Sequence, residues 1–169
     1  MQITRYASLS EPQFLGCTSA FVDALTGELN AAAMYLRKLE GQSKGAAFAY
    51  EMSLDRHRYG ALTVLDRWGT LVGTFGPHLK LSRYPAIVEQ AAAQAADAEH
   101  ILRAANHLLD AEESYSPAIV EAGVLAFQSV TAIFARERRA AEQSAQLGPL
   151  LSDEFRQARA VFSQDLAAR

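Results

Sequence analysis

The sequence predicts an all-α fold: an antiparallel four-helix bundle with an additional short C-terminal helix, in a single domain spanning residues 1–169. Apolar residues recur at steps of three and four along nearly the whole chain, which is the spacing of one helix face. The chain has only ten glycines and five prolines, and the prolines nearly define the boundaries of these periodic segments. Valine and isoleucine are too scattered for strands, and no Asn-Gly or Asp-Gly hairpin turn occurs in the sequence.

The first helix is expected over residues 11–40. Ser10 is a suitable N-cap, and Pro12 fits the first helical turn. Gly41 can end the helix, because glycine adopts the left-handed conformation without a steric penalty. The apolar stripe of this segment includes Phe14, Phe21, Leu25, Ala32, Tyr35 and Leu39.

Prolines and glycines also delimit the remaining helices, which are expected at residues 45–72, 85–113, 117–146 and 150–167. Residues 73–84 are expected to be irregular. The four long helices would be about 42 to 45 Å long at 1.5 Å per residue. Short turns make successive helices antiparallel, which favours a bundle. A solenoid of two helix pairs is the alternative, although no motif repeats between the halves of the chain.

Composition excludes several protein classes. Half of the residues are hydrophobic, 21% are charged and the net charge is −3, so a disordered chain and a basic nucleic-acid-binding module are not expected. Cys17 has no second cysteine to pair with, which favours a reducing compartment and a role as a small packed hydrophobe. Residues 1–10 lack a signal-peptide pattern, and charges interrupt the long apolar stretches. A cytoplasmic protein without a membrane-spanning helix is therefore expected.

Glu28 is unusual because it lies on the apolar stripe of the first helix, where an unpartnered carboxylate would be costly. Glu51, Asp55 and Arg58 share one side of the second helix. Three interpretations stay open at this point. Glu28 joins a carboxylate cluster that holds a metal, forms an ion pair with Arg58, or reaches solvent at the edge of the stripe.

Two stretches resemble the ferritin-like superfamily. Residues 25–35 (LTGELNAAAMY) are similar to its first helix, and residues 55–62 (DRHRYGAL) are similar to its Glu-x-x-His helix. The resemblance implies a bundle with a long crossover and a centre of two iron or manganese ions. Glu28 would be the first-helix ligand and Asp55 the bridging carboxylate, with Glu51 and His57 as further candidates.

The chain departs from the ferritin-like pattern at two places. Arg58 occupies the family's histidine position in the second helix. The acid-x-x-His match in the second half of the chain, Asp97 to His100, falls on the third helix instead of the fourth. These departures favour a bundle without a bound cofactor over one that holds iron or manganese.

Residues 98–104 (AEHILRA) resemble the histidine phosphotransfer pattern. In that interpretation His100, which falls off the apolar stripe, is the phosphorylated nucleophile. Arg103 would stabilise the phosphoryl group, and Ala104 would leave room for a receiver domain.

The sequence contains no GxSxG, P-loop or dinucleotide-binding motif. The predicted function is therefore binding or self-association by a helical bundle without a complete catalytic set. The fifth helix carries Phe155, Val161, Phe162 and Leu166, so it either caps the bundle or docks on a partner. The protein is expected to form a homo-oligomer or to bind a protein partner. Binding to nucleic acid or to a membrane is not expected. A ferritin-like metal protein or oxidase and a phosphotransfer module through His100 are the alternatives.

Overall fold

The computed structural model describes residues 9–75, 84–145 and 149–167, and the side chains of residues 9–74, 88–143 and 153–167. These residues form helices and no strands, which confirms the predicted all-α class; one isolated β-bridge joins Ser43 to Ser114. The helices are α1 (Glu11–Lys38), α2 (Phe48–Phe75), α3 (Tyr84–Ala111), α4 (Pro117–Ala145) and α5 (Pro149–Ala167). Most of the segment predicted to be irregular, residues 76–83, lies outside the described residues.

The start of α1 follows from its local sequence. Ser10 caps the helix: its hydroxyl accepts a hydrogen bond from the Gln13 amide at 3.4 Å, and the Gln13 side chain accepts one from the Ser10 amide at 2.8 Å. This reciprocal capping box satisfies two backbone donors at the end of the helix. The loop after α1 contains Gly41 and Gly45, whose φ angles of +82° and +84° lie in the left-handed region that favours glycine.

The two loops at one end of the bundle are hydrogen bonded to each other. The Gly41 amide donates to the Tyr115 carbonyl at 2.7 Å, and the Tyr115 amide donates to the Gln42 carbonyl at 2.9 Å. The Lys44 amide donates to the Glu113 carbonyl at 2.9 Å. The α1–α2 and α3–α4 loops therefore lie at the same end, which we call the loop end.

This arrangement sets the topology. Because α2 leaves the loop end and α3 returns to it, the two helices are antiparallel. Helix α1 packs against both α2 and α4, and α3 packs against the same two helices, so the four form a closed ring. The predicted antiparallel bundle is confirmed, and the solenoid alternative is wrong. A ferritin-like long crossover between the second and third helices would instead place the two loops at opposite ends.

Helix α1 is the central element, since α2, α4 and α5 all pack extensively on it. Phe21 shows this most clearly. Its ring stacks on Trp68 of α2 with centroids 4.6 Å apart and meets Phe134 of α4 edge-on at 4.9 Å. Phe162 of α5 lies edge-on at 6.3 Å. Such aromatic pairs stabilise the fold by more than the burial of their apolar area alone would.

Helix α5 runs parallel to α1 and covers its outer side. Phe155, Ala158 and Phe162 are buried, and the Cys17 thiol donates a hydrogen bond to the Ala158 carbonyl at 3.3 Å. Of the two roles predicted for this helix, capping of its own bundle is the one observed. The apolar side chains that suggested partner docking are thus used within the chain.

The sequence analysis expected no membrane-spanning helix, because charges interrupt the long apolar stretches. Residues Pro117–Gln143 of α4 are nevertheless long and apolar enough to cross a membrane by length and composition. A core helix of a soluble protein passes the same test. In this fold the apolar side of α4 packs on α1 and α3, with Phe127, Val130 and Phe134 buried.

Gly16 sets how closely α5 approaches α1. A Cβ at this position would lie 2.7 Å from Ala158 Cβ and 3.1 Å from Phe155 Cα. We expect Gly16→Ala to lower the free energy of unfolding by about 1–3 kcal/mol, because the α5 backbone would have to shift. Urea denaturation followed by circular dichroism measures the change.

Gly27→Ala is the matched control on the same helix. No atom lies within 4 Å of its Cβ position, so alanine should raise the free energy of unfolding by about 0.5–1 kcal/mol. Equal effects of the two substitutions would contradict the close approach at Gly16.

Candidate functional site

Glu28 pairs with His57. Its Oε2 atom lies 2.7 Å from His57 Nδ1, and both side chains are partly buried. Tyr35 stacks on the His57 ring at 5.7 Å and fixes its plane. Gly60 allows the close approach, because a Cβ there would lie 2.9 Å from Glu28 Oε2. Glu28 thus has a partner on α2, although not the one that the sequence suggested.

The predicted Glu28–Arg58 ion pair is wrong. Successive residues of a helix point about 100° apart, so His57 and Arg58 face different neighbours. His57 faces α1, whereas Arg58 faces α3. The rotation of α2 about its axis decides which of the two residues faces Glu28, and the sequence alone does not determine that rotation.

Arg58 is the centre of a polar network between α2 and α3. The residue is 3% exposed. Its Nε atom donates to Asp55 Oδ1 at 2.9 Å, and its Nη2 atom donates to Asp110. Its Nη1 atom donates to the Asn106 carbonyl at 3.3 Å. A buried guanidinium is tolerated when carboxylates and hydrogen bonds compensate for its lost hydration, as they do here.

Asp110 joins this network to Tyr59, whose hydroxyl donates to Asp110 Oδ2 at 2.8 Å. Burial by itself would raise the pKa of the Asp110 carboxyl. The hydrogen bonds from Arg58 and Tyr59 and the positive charges of Arg58 and Lys44 outweigh burial, so its pKa is lowered. Asp110 is therefore held as a carboxylate.

Glu51 lies at the start of α2 and belongs to the loop. Both of its carboxylate oxygens accept from the Gly45 amide at 3.0 Å. Burial raises the pKa of the nearby Tyr115 hydroxyl, and the charge of Glu51 and a hydrogen bond to it add to the effect. Lys44 lies over the Tyr115 ring at 4.7 Å and donates to the Leu109 carbonyl at 2.6 Å. Glu51 thus fixes the loop end.

The four predicted metal ligands are therefore divided among separate interactions. Glu28 and His57 form one pair, Asp55 belongs to the Arg58 network, and Glu51 holds the loop. Within the described ranges, no group of three or more His, Cys, Asp or Glu side chains could hold a metal ion. Iron or manganese binding stays a prediction from the resemblance, without a ligand set in this part of the chain.

His100 is exposed on α3, as predicted. Arg103, which was expected to stabilise a phosphoryl group, donates instead to Glu99 Oε1 at 2.8 Å. Phosphotransfer through His100 also stays a prediction. Cys17 is 0% exposed, and burial raises the pKa of its thiol to about 12, which confirms a packed side chain.

The sequence analysis missed an exposed apolar surface at the loop end. Five of the six large hydrophobic residues that are exposed in the described part lie at the end of α1 or in the first half of α2: Met34, Phe48, Tyr50, Met52 and Tyr59. Phe48 and Met52 are 66% and 57% exposed. The spacing of Phe48, Met52 and Tyr59 places them on one stripe, which we call the α2 surface.

The α2 surface borders a cavity of about 180 Å³ between α2 and α3. The cavity is lined by Lys44, Phe48, Glu51, Met52, Asp55, Arg58, Asp110 and Tyr115. A signal for this surface was present in the sequence. Phe48 and Met52 are out of phase with Leu54 and Ala61, which belong to the buried stripe of α2.

Asp110→Asn tests the network by its pH dependence. The pKa of Asp110 is lower in the folded protein than its ordinary value of 3.8, so the carboxylate stabilises the fold above that pH. This stabilisation is lost as the pH falls through the folded-state pKa. Thermal unfolding between neutral and acidic pH should show a smaller loss of stability for Asp110→Asn than for the wild type. Asp97→Asn, an exposed control on the same helix, should behave like the wild type; an unchanged acid dependence in Asp110→Asn would contradict the network.

In comparisons with known proteins, no protein-family model, no curated protein and no solved structure matches this chain. The functional conclusion therefore depends on the geometry of the described residues.

Proposed function

We propose that this protein acts by binding, and that it self-associates through the α2 surface. The concentration of exposed large hydrophobic residues at the loop end carries the proposal. Contiguous exposed apolar surface on a globular domain marks interaction sites, and aromatic residues and methionine are enriched at the centres of interfaces. Phe48 and Met52 would form the apolar centre of such an interface.

The Arg58 network supports the proposal because it holds one member of the surface in place. The hydroxyl of Tyr59 is hydrogen bonded to Asp110, and the Arg58 guanidinium lies 4.6 Å from the centroid of its ring. A side chain that is already ordered loses less conformational entropy on binding. Tyr59 is 45% exposed, so a partner can contact it, and these two interactions already hold its side chain in one position.

The charges beside the α2 surface favour a second copy of this chain as the partner. Asp55 and Asp110 flank the stripe on the side of α3, and the exposed Arg56 flanks it on the other side. A two-fold dimer with the two α2 helices side by side and parallel would bring the acidic flank of one copy to Arg56 of the other. Pairing of flanking charges across an apolar seam sets orientation in parallel helix pairs, and two-fold dimers are the commonest oligomers.

Substitution of the apolar centre tests the proposal. Wild-type protein should show a concentration-dependent monomer–dimer equilibrium in sedimentation velocity experiments. The double variant Phe48→Ser, Met52→Ser should weaken dimerisation by at least about 30-fold, because the loss of even one hot-spot side chain costs about 2 kcal/mol. Both residues are exposed, so circular dichroism should show an intact fold.

Leu125→Ser is the matched control. Leu125 is 53% exposed and lies on α4, away from the α2 surface, so this substitution should leave the dimer unchanged. A wild-type protein that stays monomeric at all concentrations, or equal effects of the two substitutions, would refute self-association through α2.

A further inference from the structure

A second cavity lies between the helices, at the end of the bundle away from the loop end, and it is partly open to solvent. Its volume is about 230 Å³, and its wall is mostly apolar. The wall includes Phe14 of α1, Trp68 of α2, Ala91 of α3 and Phe134 of α4. An engineered apolar cavity of about 150 Å³ is large enough to bind benzene. This cavity therefore has room for an aromatic ring with a short side chain.

A pair of polar side chains interrupts this apolar wall. Gln94 of α3 donates through Nε2 to Glu137 Oε1 of α4 at 2.7 Å. Gln90 donates to the same oxygen at 3.4 Å. Both amides thus donate to Glu137 Oε1, and neither donates to Glu137 Oε2.

Three buried polar atoms of the lining residues have no hydrogen-bond partner: Glu137 Oε2, Gln94 Oε1 and Trp68 Nε1. A buried polar atom without a partner costs about 1–3 kcal/mol. Native proteins contain few such atoms, so a buried acceptor without a partner is a candidate for a hydrogen bond to a bound ligand or to water. Because Gln94 and Glu137 are bonded to each other, their two free acceptors belong to one contiguous polar patch.

We infer that this cavity binds a small aromatic primary amine. The ring would pack among Phe14, Trp68 and Phe134, and the ammonium group would donate to Glu137 Oε2 and Gln94 Oε1. An ammonium group matches both the negative charge and the acceptor-only character of these atoms. Arg136, which also lines the cavity, is exposed to solvent, so water screens its charge.

This inference is independent of the proposed dimer. It uses residues at the other end of the bundle, and none of them belongs to the α2 surface. Loss of ligand binding and loss of dimerisation can therefore be observed separately.

Trp68 provides the readout, because it is the single tryptophan of the sequence and lines the cavity. Phenethylamine should cause a saturable change in tryptophan fluorescence. Phenethyl alcohol, which has a similar shape but no charge, should bind at least about tenfold more weakly, since a charge-assisted hydrogen bond is lost. Phenylpropionate should not bind, because its carboxylate would face Glu137.

Variants connect binding to the named side chains. Glu137→Gln should weaken phenethylamine binding at least about tenfold and leave the affinity for phenethyl alcohol unchanged. Glu142→Gln, an exposed position on the same helix, is the matched control and should have no effect. Ala91→Phe should fill the cavity and abolish binding of both ligands.

Three outcomes would overturn the inference. One is the absence of a saturable fluorescence change with phenethylamine, which would mean that only water occupies the cavity. Another is equal affinity for the amine, the alcohol and the carboxylate. The third is an unchanged affinity of Glu137→Gln for phenethylamine.

Discussion

The packing of α1 is the constraint on which the rest of the structure depends. This helix carries apolar residues on more than one side, and α2, α4 and α5 all cover it. The three aromatic rings that contact Phe21 come from these three helices. Gly16 permits the close approach of α5, and the capping box at Ser10 fixes where the helix begins. Phe14 of this helix also lines the cavity at the end of the bundle away from the loop end.

The two ends of the bundle differ in chemistry. At the loop end, backbone hydrogen bonds join the two loops, and the Arg58 network holds α2 to α3. Large apolar side chains are exposed on the outside of this end. At the other end, the four helices line a mostly apolar, partly open cavity with the Gln94–Glu137 pair in its wall. The proposed surface for a protein partner and the proposed cavity for a small molecule thus lie at opposite ends of one bundle, so they can be tested separately.

The fold could be predicted from the sequence because each helix has its own periodicity and its own boundary residues. Ser10, Pro12 and Gly41 marked the ends of the first helix, and the described helices begin and end within three residues of the expected positions. The short loops after the first and third helices predicted that each joins two antiparallel helices, whereas the connection expected at residues 73–84 left the choice between an up-down bundle and a long crossover open. The crossover implied by the ferritin-like resemblance does not follow from the local sequence, and the hydrogen bonds between Gly41 and Tyr115 show the loops together.

The sites were harder to predict because they depend on how each helix is rotated. Glu28 was expected on the apolar stripe of the first helix, but its side chain is 34% exposed, and a rotation of about 100° decides between Arg58 and His57 as its partner. Asp110 belongs to the Arg58 network although 52 residues separate it from Arg58, and nothing in the sequence marks this pairing. The Gln94–Glu137 pair is likewise formed between helices. Exposed Phe48 and Met52 could have been found from their phase relative to Leu54.

Native-state hydrogen exchange tests the central position of α1 most directly. Amides of α1 around Phe21 should exchange only through global unfolding, with the highest protection in the chain, because three helices must separate before they are exposed. Amides of α3, which packs on only two helices among those described, should exchange through smaller openings as well. Faster exchange in α1 than in α3 would contradict the account.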